Sequence, residues 1–156
     1  MKKFELTNEF VTNMFGTKLF RIRALVEFGD VEAGELGGYV EKESNLGHDD
    51  NAWVYGNAQV SGDARVCGDA RVCGNGDYAY AHGFGSVNRT TTFFRLKDGG
   101  VGVRCGCFYG TLAQFRDKIR ETHGESAIAE EYLDLAALME KRFRRTGNEQ
   151  KTEEES

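Results

Sequence analysis

Between Val54 and Asp77 the hydrophobic and polar positions recur every six residues, as VYGNAQ, VSGDAR, VCGDAR and VCGNGD. Each hexad opens on valine, carries glycine two positions on, then Asn or Asp, with Ala or Gly fifth. A six-residue period fits neither an amphipathic helix nor a simply alternating strand. It predicts a parallel β-helix, in which each hexad makes one short strand and one corner. The valines then point inward and stack. Gly56, Gly62, Gly68 and Gly74 permit the corner, and Asn57, Asp63, Asp69 and Asn75 are types that tolerate left-handed backbone angles. Degenerate hexads flank the run. His48–Trp53 precedes it; Tyr78–Arg89 follows it, with Tyr78 and Phe84 inward and His82 in place of the small residue.

Outside the repeat the period changes. Phe4 and Leu6 alternate with polar neighbours, and Lys18–Phe28 sets Phe20, Ile22 and Ala24 against Arg21 and Arg23, so two half-buried strands are expected around a turn at Asn13–Gly16. Thr90–Lys97 and Val101–Phe108 also alternate, joined by Asp98-Gly99-Gly100 as in a hairpin. Thr111 and Gln114 form a capping box ahead of Leu112, Phe115 and Ile119, with Gly124 closing that helix. Ser126 caps a second helix whose apolar face is Ile128, Tyr132, Leu135, Met139 and Phe143. The expected segments are N-terminal strands acting as a cap (1–36), repeats (37–89), a β-hairpin with two helices (90–146) and a disordered acidic tail (147–156).

Composition narrows this further. At 156 residues, 40% hydrophobic and 29% charged, the chain is sized for one compact unit with a core. With 20 glycines and no proline, turns fall to Gly, Asn and Asp. A net charge of −5 argues against a general nucleic-acid binder, which usually carries a basic footprint. The lysines of MKKFELTNEF lead into no apolar h-region and no long apolar run follows, so a cytoplasmic protein without membrane attachment is expected.

The repeats resemble those of hexapeptide-repeat, left-handed β-helix proteins, in which an aliphatic residue is followed four positions later by a small one. The rest of the chain, up to about Phe143, resembles a group of small hexapeptide-repeat proteins encoded by bacteriophages and prophages. The likeness lies in KKFELT, AGELGGYVEKESNL, NAWVYGNAQVSGDARV and TTTFFRLKDG, with CGCFYGTL, ETHG and EYL beyond. The resemblance implies a mostly β fold with C-terminal α structure: a short left-handed parallel β-helix, capped by N-terminal strands and a C-terminal ββαα module. Three hexads would complete a coil, placing Val54 against Val72, Val60 against Tyr78 and Val66 against Phe84. It also implies a homo-oligomer, trimer or dimer, and a phage accessory protein in the bacterial host cytoplasm. Such proteins often bind and disable host proteins, defence systems among them. No catalytic residue comes with it.

Two function classes follow. The first is a non-catalytic interaction module without cofactor or metal. Trp53 and Arg71, eighteen apart, would stack on one exposed face beside Tyr55, which lies above Cys73, with Arg65 also outward; Trp, Tyr and Arg are the types enriched in interface hot spots. A ladder that only stabilises the coil is the plainer reading of the same residues. The alternative class is a hexapeptide acyltransferase using acyl-CoA and a histidine base. His82 is the best-placed candidate, His48 reads as a corner residue, and His123 suits a helix last turn. Cys67 and Cys73 are expected outward, Cys105 and Cys107 buried as small hydrophobes, and no ligand set for zinc is completed. Lys141–Arg145 suits a helix dipole, with an anionic partner as the second reading.

Overall fold

The computed structural model of the chain describes residues 2–84 and 89–155, with side chains described over 2–84 and 90–146. Among the described residues ten strands, with two short 3-10 turns between them, precede two α-helices. β1 (Phe4–Thr12) and β2 (Lys18–Ala24) form a hairpin, and β3 (Leu36–Val40) follows; β4 (Trp53–Val54), β5 (Gln59–Val60) and β6 (Arg71–Val72) come from the hexads. β7 (Tyr78–Phe84), β8 (Arg89–Arg95), β9 (Val101–Cys105) and β10 (Phe108–Thr111) lead into α1 (Leu112–His123) and α2 (Ala127–Glu155). The mostly β character with C-terminal helices is as the sequence reads.

The short left-handed parallel β-helix is corrected. The strands assort into a mixed sheet β1-β2-β3-β5, an antiparallel sheet β10-β9-β8-β7 and a two-stranded parallel pair β4-β6. Of the expected stacking, Val54 does face Val72 across β4 and β6. Val60 faces Val40 instead, and Val66 bridges to Leu46, each partner twenty residues upstream. Tyr78 pairs with Phe94 and Phe84 with Arg89, both in β8. The physical reason is strand length. A two-residue hexad strand offers few hydrogen bonds, whereas Tyr78–Phe84 finds a seven-residue antiparallel partner rich in threonine and phenylalanine. Tyr78–Phe84, placed with the repeats by its sequence, therefore belongs to the C-terminal sheet.

The hexads still behave locally as their pattern requires. Val54, Val60, Val66 and Val72 are fully buried, with Ala58, Ala64 and Ala70 beside them. β3 closes over them because it carries Gly37 and Gly38: a Cβ at Gly37 would lie 2.6 Å from the Val54 carbonyl and one at Gly38 2.6 Å from that of Ala58. Asn45, fully buried, stitches the layers, its side-chain amide donating to the carbonyls of Gly62 (3.1 Å) and Ala64 (2.8 Å). This first core takes in Phe4, Ile22, Val31, Trp53 and Phe94. A second lies between the antiparallel sheet and the helices, around Phe93, Val103, Phe115, Ile119, Tyr132 and Phe143. Adjacent residues of β8, Phe93 and Phe94, thus point into different cores.

The helices start where their caps predict. Thr111 Oγ1 accepts from Gln114 N while Thr111 N donates to Gln114 Oε1, and Gly124 ends α1 at φ 59°. Ser126 Oγ accepts from Ala129 N. The α2 backbone continues through Glu155, so Lys141–Arg145 is not a last turn. The side chains of the acidic tail expected over 147–156 lie outside the described residues, as do residues 85–88 of the degenerate hexad Tyr78–Arg89. Among the described residues no helix is long and apolar enough to cross a membrane.

At the chain start, Lys3 is buried under the first core. Its ammonium donates to the carbonyls of Ala52 (2.6 Å) and Asp50 (3.0 Å), meets Asp50 Oδ1 at 3.3 Å and lies 4.6 Å from the Phe28 ring centroid. Burial lowers its pKa below the ordinary 10.5, against the opposing pull of Asp50.

Two outcomes are expected. Val66→Asp should unfold the domain at a cost of several kcal/mol, since it buries an unpaired charge. Arg65→Ala should cost about 0.5 kcal/mol or less because that side chain is exposed. Denaturant titration of both variants distinguishes them, and equal damage would mean that the inward face is wrongly assigned. The second concerns pH. Between Lys3's lowered pKa and 10.5 the unfolded chain holds a proton that the folded chain has released, so stability from this residue rises with pH there. The stability of wild type minus that of Lys3→Met should therefore grow through that alkaline window; a pH-independent difference contradicts it.

Candidate functional site

The register of β4 on β6 builds the candidate site. Trp53 N donates to Ala70 O (3.1 Å) and Tyr55 N to Val72 O (2.7 Å), which puts Trp53 opposite Arg71 and Tyr55 just beyond. The Arg71 guanidinium lies 5.1 Å from the Tyr55 ring centroid, a cation–π pair. Arg71 is exposed and Tyr55 half-buried.

Trp53 departs from its expected place on that surface. It is fully buried, edge-on to Phe4 (6.3 Å between centroids) and Phe28 (5.2 Å). The six-residue period aimed it outward correctly relative to the hexad, but the N-terminal strand and the Phe28 loop fold over it. Its indole Nε1 finds no hydrogen-bond partner among the described residues. Trp53 is thus a core support for the exposed pair rather than part of a binding face.

Tyr55 and Arg71 line a cleft of about 560 Å³ together with Asp30, Asn51, Leu96 and Lys97. Asp69 and Asp98 complete its acidic side, and a Lys97–Asp30 ion pair at 3.2 Å spans it. Its far wall is set by the Ala70–Leu96 bridge and by Lys97 N donating to Asp69 O (3.0 Å). Partial burial pushes the Tyr55 phenol above its ordinary pKa, opposed by the neighbouring Arg71. The reading of the hexads alone missed Asp30, Leu96 and Lys97. The DGG turn that ends β8 was the one signal for the last two; nothing local tied Asp30 to this place.

Arg65 is exposed but belongs to a separate groove of about 430 Å³, with Lys42, Asp63, Thr90, Arg104 and Cys107. Its backbone N–H donates to Thr92 Oγ1 (3.0 Å). Lys42 hydrogen-bonds Asp63 at 2.9 Å and so holds that carboxyl below its ordinary pKa. The structure therefore joins Tyr55 with Arg71 and leaves Arg65 apart.

The histidines have separate surroundings. His82 is exposed near the end of the edge strand β7, its Nδ1 2.7 Å from Thr90 Oγ1. His48 accepts from Lys3 N at Nδ1 (3.1 Å) and stacks on Phe4 at 4.3 Å, a packing role for the expected corner residue. His123 lies in the last turn of α1 and stacks on Tyr132 at 6.0 Å. Two cysteines are corrected. Cys67 is buried rather than outward, and Cys107 exposed rather than buried, because β9 ends at Cys105 and Gly106-Cys107 form the following turn. Among the described residues no group of His, Cys, Asp and Glu is arranged to hold a metal ion.

No family model matches the chain, and no curated protein or solved structure matches it.

Removing the positive charge of Arg71 takes away the influence that lowers the Tyr55 pKa. Arg71→Gln should therefore shift Tyr55 ionisation to higher pH. The shift is read as the alkaline ultraviolet difference between each protein and its Tyr55→Phe counterpart, and an unchanged midpoint would separate the two side chains.

Proposed function

We propose that the chain is a non-catalytic protein-interaction module that presents Tyr55 and Arg71 to a partner protein. In this reading it serves as a phage or prophage accessory protein, binding a host protein in the bacterial cytoplasm, with counter-defence as one such task. The observation that carries the binding role is the outward Tyr55–Arg71 pair, 5.1 Å apart on hydrogen-bonded strands at the mouth of a cleft. Val54 and Val72, fully buried next to them in sequence, anchor those strands. Side chains mounted this way lose little freedom on binding, and Tyr and Arg are types that dominate interface energetics. The rim carries both signs, Lys97 beside Asp30, Asp69 and Asp98, which favours a partner surface of mixed charge over a polyanion. The phage assignment rests on the resemblance of segments such as KKFELT and AGELGGYVEKESNL, and the host target on how phage accessory proteins commonly act.

Affinity capture from bacterial lysate tests the reading. Tyr55→Ala with Arg71→Glu should weaken capture of the partner by about 2 kcal/mol or more, while His82→Ala should leave it intact. Purified protein should neither bind acetyl-CoA in calorimetry nor transfer acetyl groups to amines or amino sugars. Saturable CoA binding, with turnover lost in His82→Ala, would replace the interaction reading by an acyltransferase.

A further inference from the structure

The chain carries a formal charge of −5, yet its groove of about 430 Å³ is cationic. Among the described residues Lys42, Arg65 and Arg104 line it with Asp63 as the sole carboxylate. Three separate parts of the fold bring these cations together. Lys42 and Ser44 belong to the 3-10 turn around Glu43–Asn45, anchored by the fully buried Asn45, whose Oδ1 accepts from Lys42 N (2.9 Å). Arg65 comes from the hexads and Arg104 from β9. Thr92 of β8 ties these two: its Oγ1 accepts from Arg65 N (3.0 Å), and it is the cross-strand partner of Arg104, so both side chains share one face of the sheet.

The charges in this groove are largely uncommitted. Among the described residues its one ion pair is Lys42–Asp63 at 2.9 Å, which leaves Arg65 and Arg104 without a carboxylate. Arg104 is nonetheless fixed in place, because its Nε donates to Gly106 O (3.0 Å) and leaves the terminal nitrogens of the guanidinium to point elsewhere. Hydroxyls stand beside the cations on Ser44 and on Thr90, whose Oγ1 lies 2.7 Å from His82 Nδ1. The Asp63 carboxyl responds to this surrounding charge. Lys42 above all, then His82 and Arg65, hold it below the ordinary carboxylate range.

A lone carboxylate needs one cation. Three cations with neighbouring hydroxyls suit a group of charge near −2 with three terminal oxygens, which is a phosphate monoester. Concave surfaces lined by one sign of charge also concentrate counter-ions. Among the described residues no aromatic ring lines the groove, so it offers no face for the base of a nucleotide or of CoA. We propose that this groove binds the phosphate of a small, compact phosphate monoester, held by Arg65 and Arg104 and by Lys42, which exchanges Asp63 for the ligand. The site shares no residue with the Tyr55–Arg71 cleft, so the two readings stand or fall separately.

NMR titration of the ¹⁵N-labelled full chain with glucose 6-phosphate should give saturable shifts at Lys42, Ser44, Asp63, Arg65, Thr90 and Gly106, while glucose gives none. Added salt should weaken the binding. Arg65→Gln should weaken it about tenfold or more, as loss of a charged hydrogen bond does, with the melting temperature unchanged because that side chain is exposed. Asp63→Asn should act in the opposite direction and tighten binding several-fold, since it releases Lys42 and removes the one repelling charge. The absence of saturable shifts overturns the proposal, as do shifts centred outside the groove, an affinity indifferent to Arg65→Gln, or weaker binding by Asp63→Asn. Adenosine monophosphate binding far more tightly than glucose 6-phosphate overturns the ligand class.

Discussion

One buried ion pair joins the three parts of this molecule. Asp77, 2% exposed at the end of the hexads, accepts from Arg95 Nε at 3.0 Å and from Cys73 N at 2.9 Å. Arg95, on β8, also donates to Phe143 O and Thr146 Oγ1 of α2, both at 2.9 Å, and lies 5.2 Å from the Phe143 ring. The guanidinium thus touches the repeat, the antiparallel sheet and the last helix at once. Such a pair adds little net stability over a well-packed apolar equivalent, but losing one partner strands a buried charge. Its effect here is geometric. It sets the angle at which the hexads meet the sheet, because a charged hydrogen-bond fork tolerates little displacement.

Around that joint the two cores share a wall. β8 buries both faces, with Thr91 and Phe93 on one and Thr92 and Phe94 on the other. Thr92 Oγ1 receives Arg65 N from the hexads, while Thr91 Oγ1 meets Cys105 Sγ within the sheet. A strand buried on both sides needs paired edges, and β7 and β9 supply them. That demand draws Tyr78–Phe84 out of the repeat. Upstream, β3 and the loop before β4 take the parallel positions that a preceding coil would have held.

The surfaces left over after this packing differ in kind. The Tyr55–Arg71 cleft is polar-rimmed and lies where the hexads meet the β8–β9 turn. The Arg65 groove is cationic and lies where the hexads meet β8 and β9.

The sequence by itself determined everything whose cause is local. The inward valines, the two hairpin turns, the capping box at Thr111 and the apolar face of α2 from Tyr132 to Phe143 are all present, because period, cap chemistry and turn residues act within a few positions. The eighteen-residue register that sets Tyr55 beside Arg71 was equally legible. Tertiary structure decided which strands pair. Two-residue strands carry too few hydrogen bonds to choose a partner, so the longer strands β3, β7 and β8 chose for them and the stacked coils gave way to three sheets. It also decided exposure. Trp53 passed from surface to core because a segment about fifty residues upstream covers it, and Arg65 parted from Arg71 because the two open into grooves walled by different distant elements. A six-residue pattern records which way a side chain points from its own strand, and nothing about what folds over it.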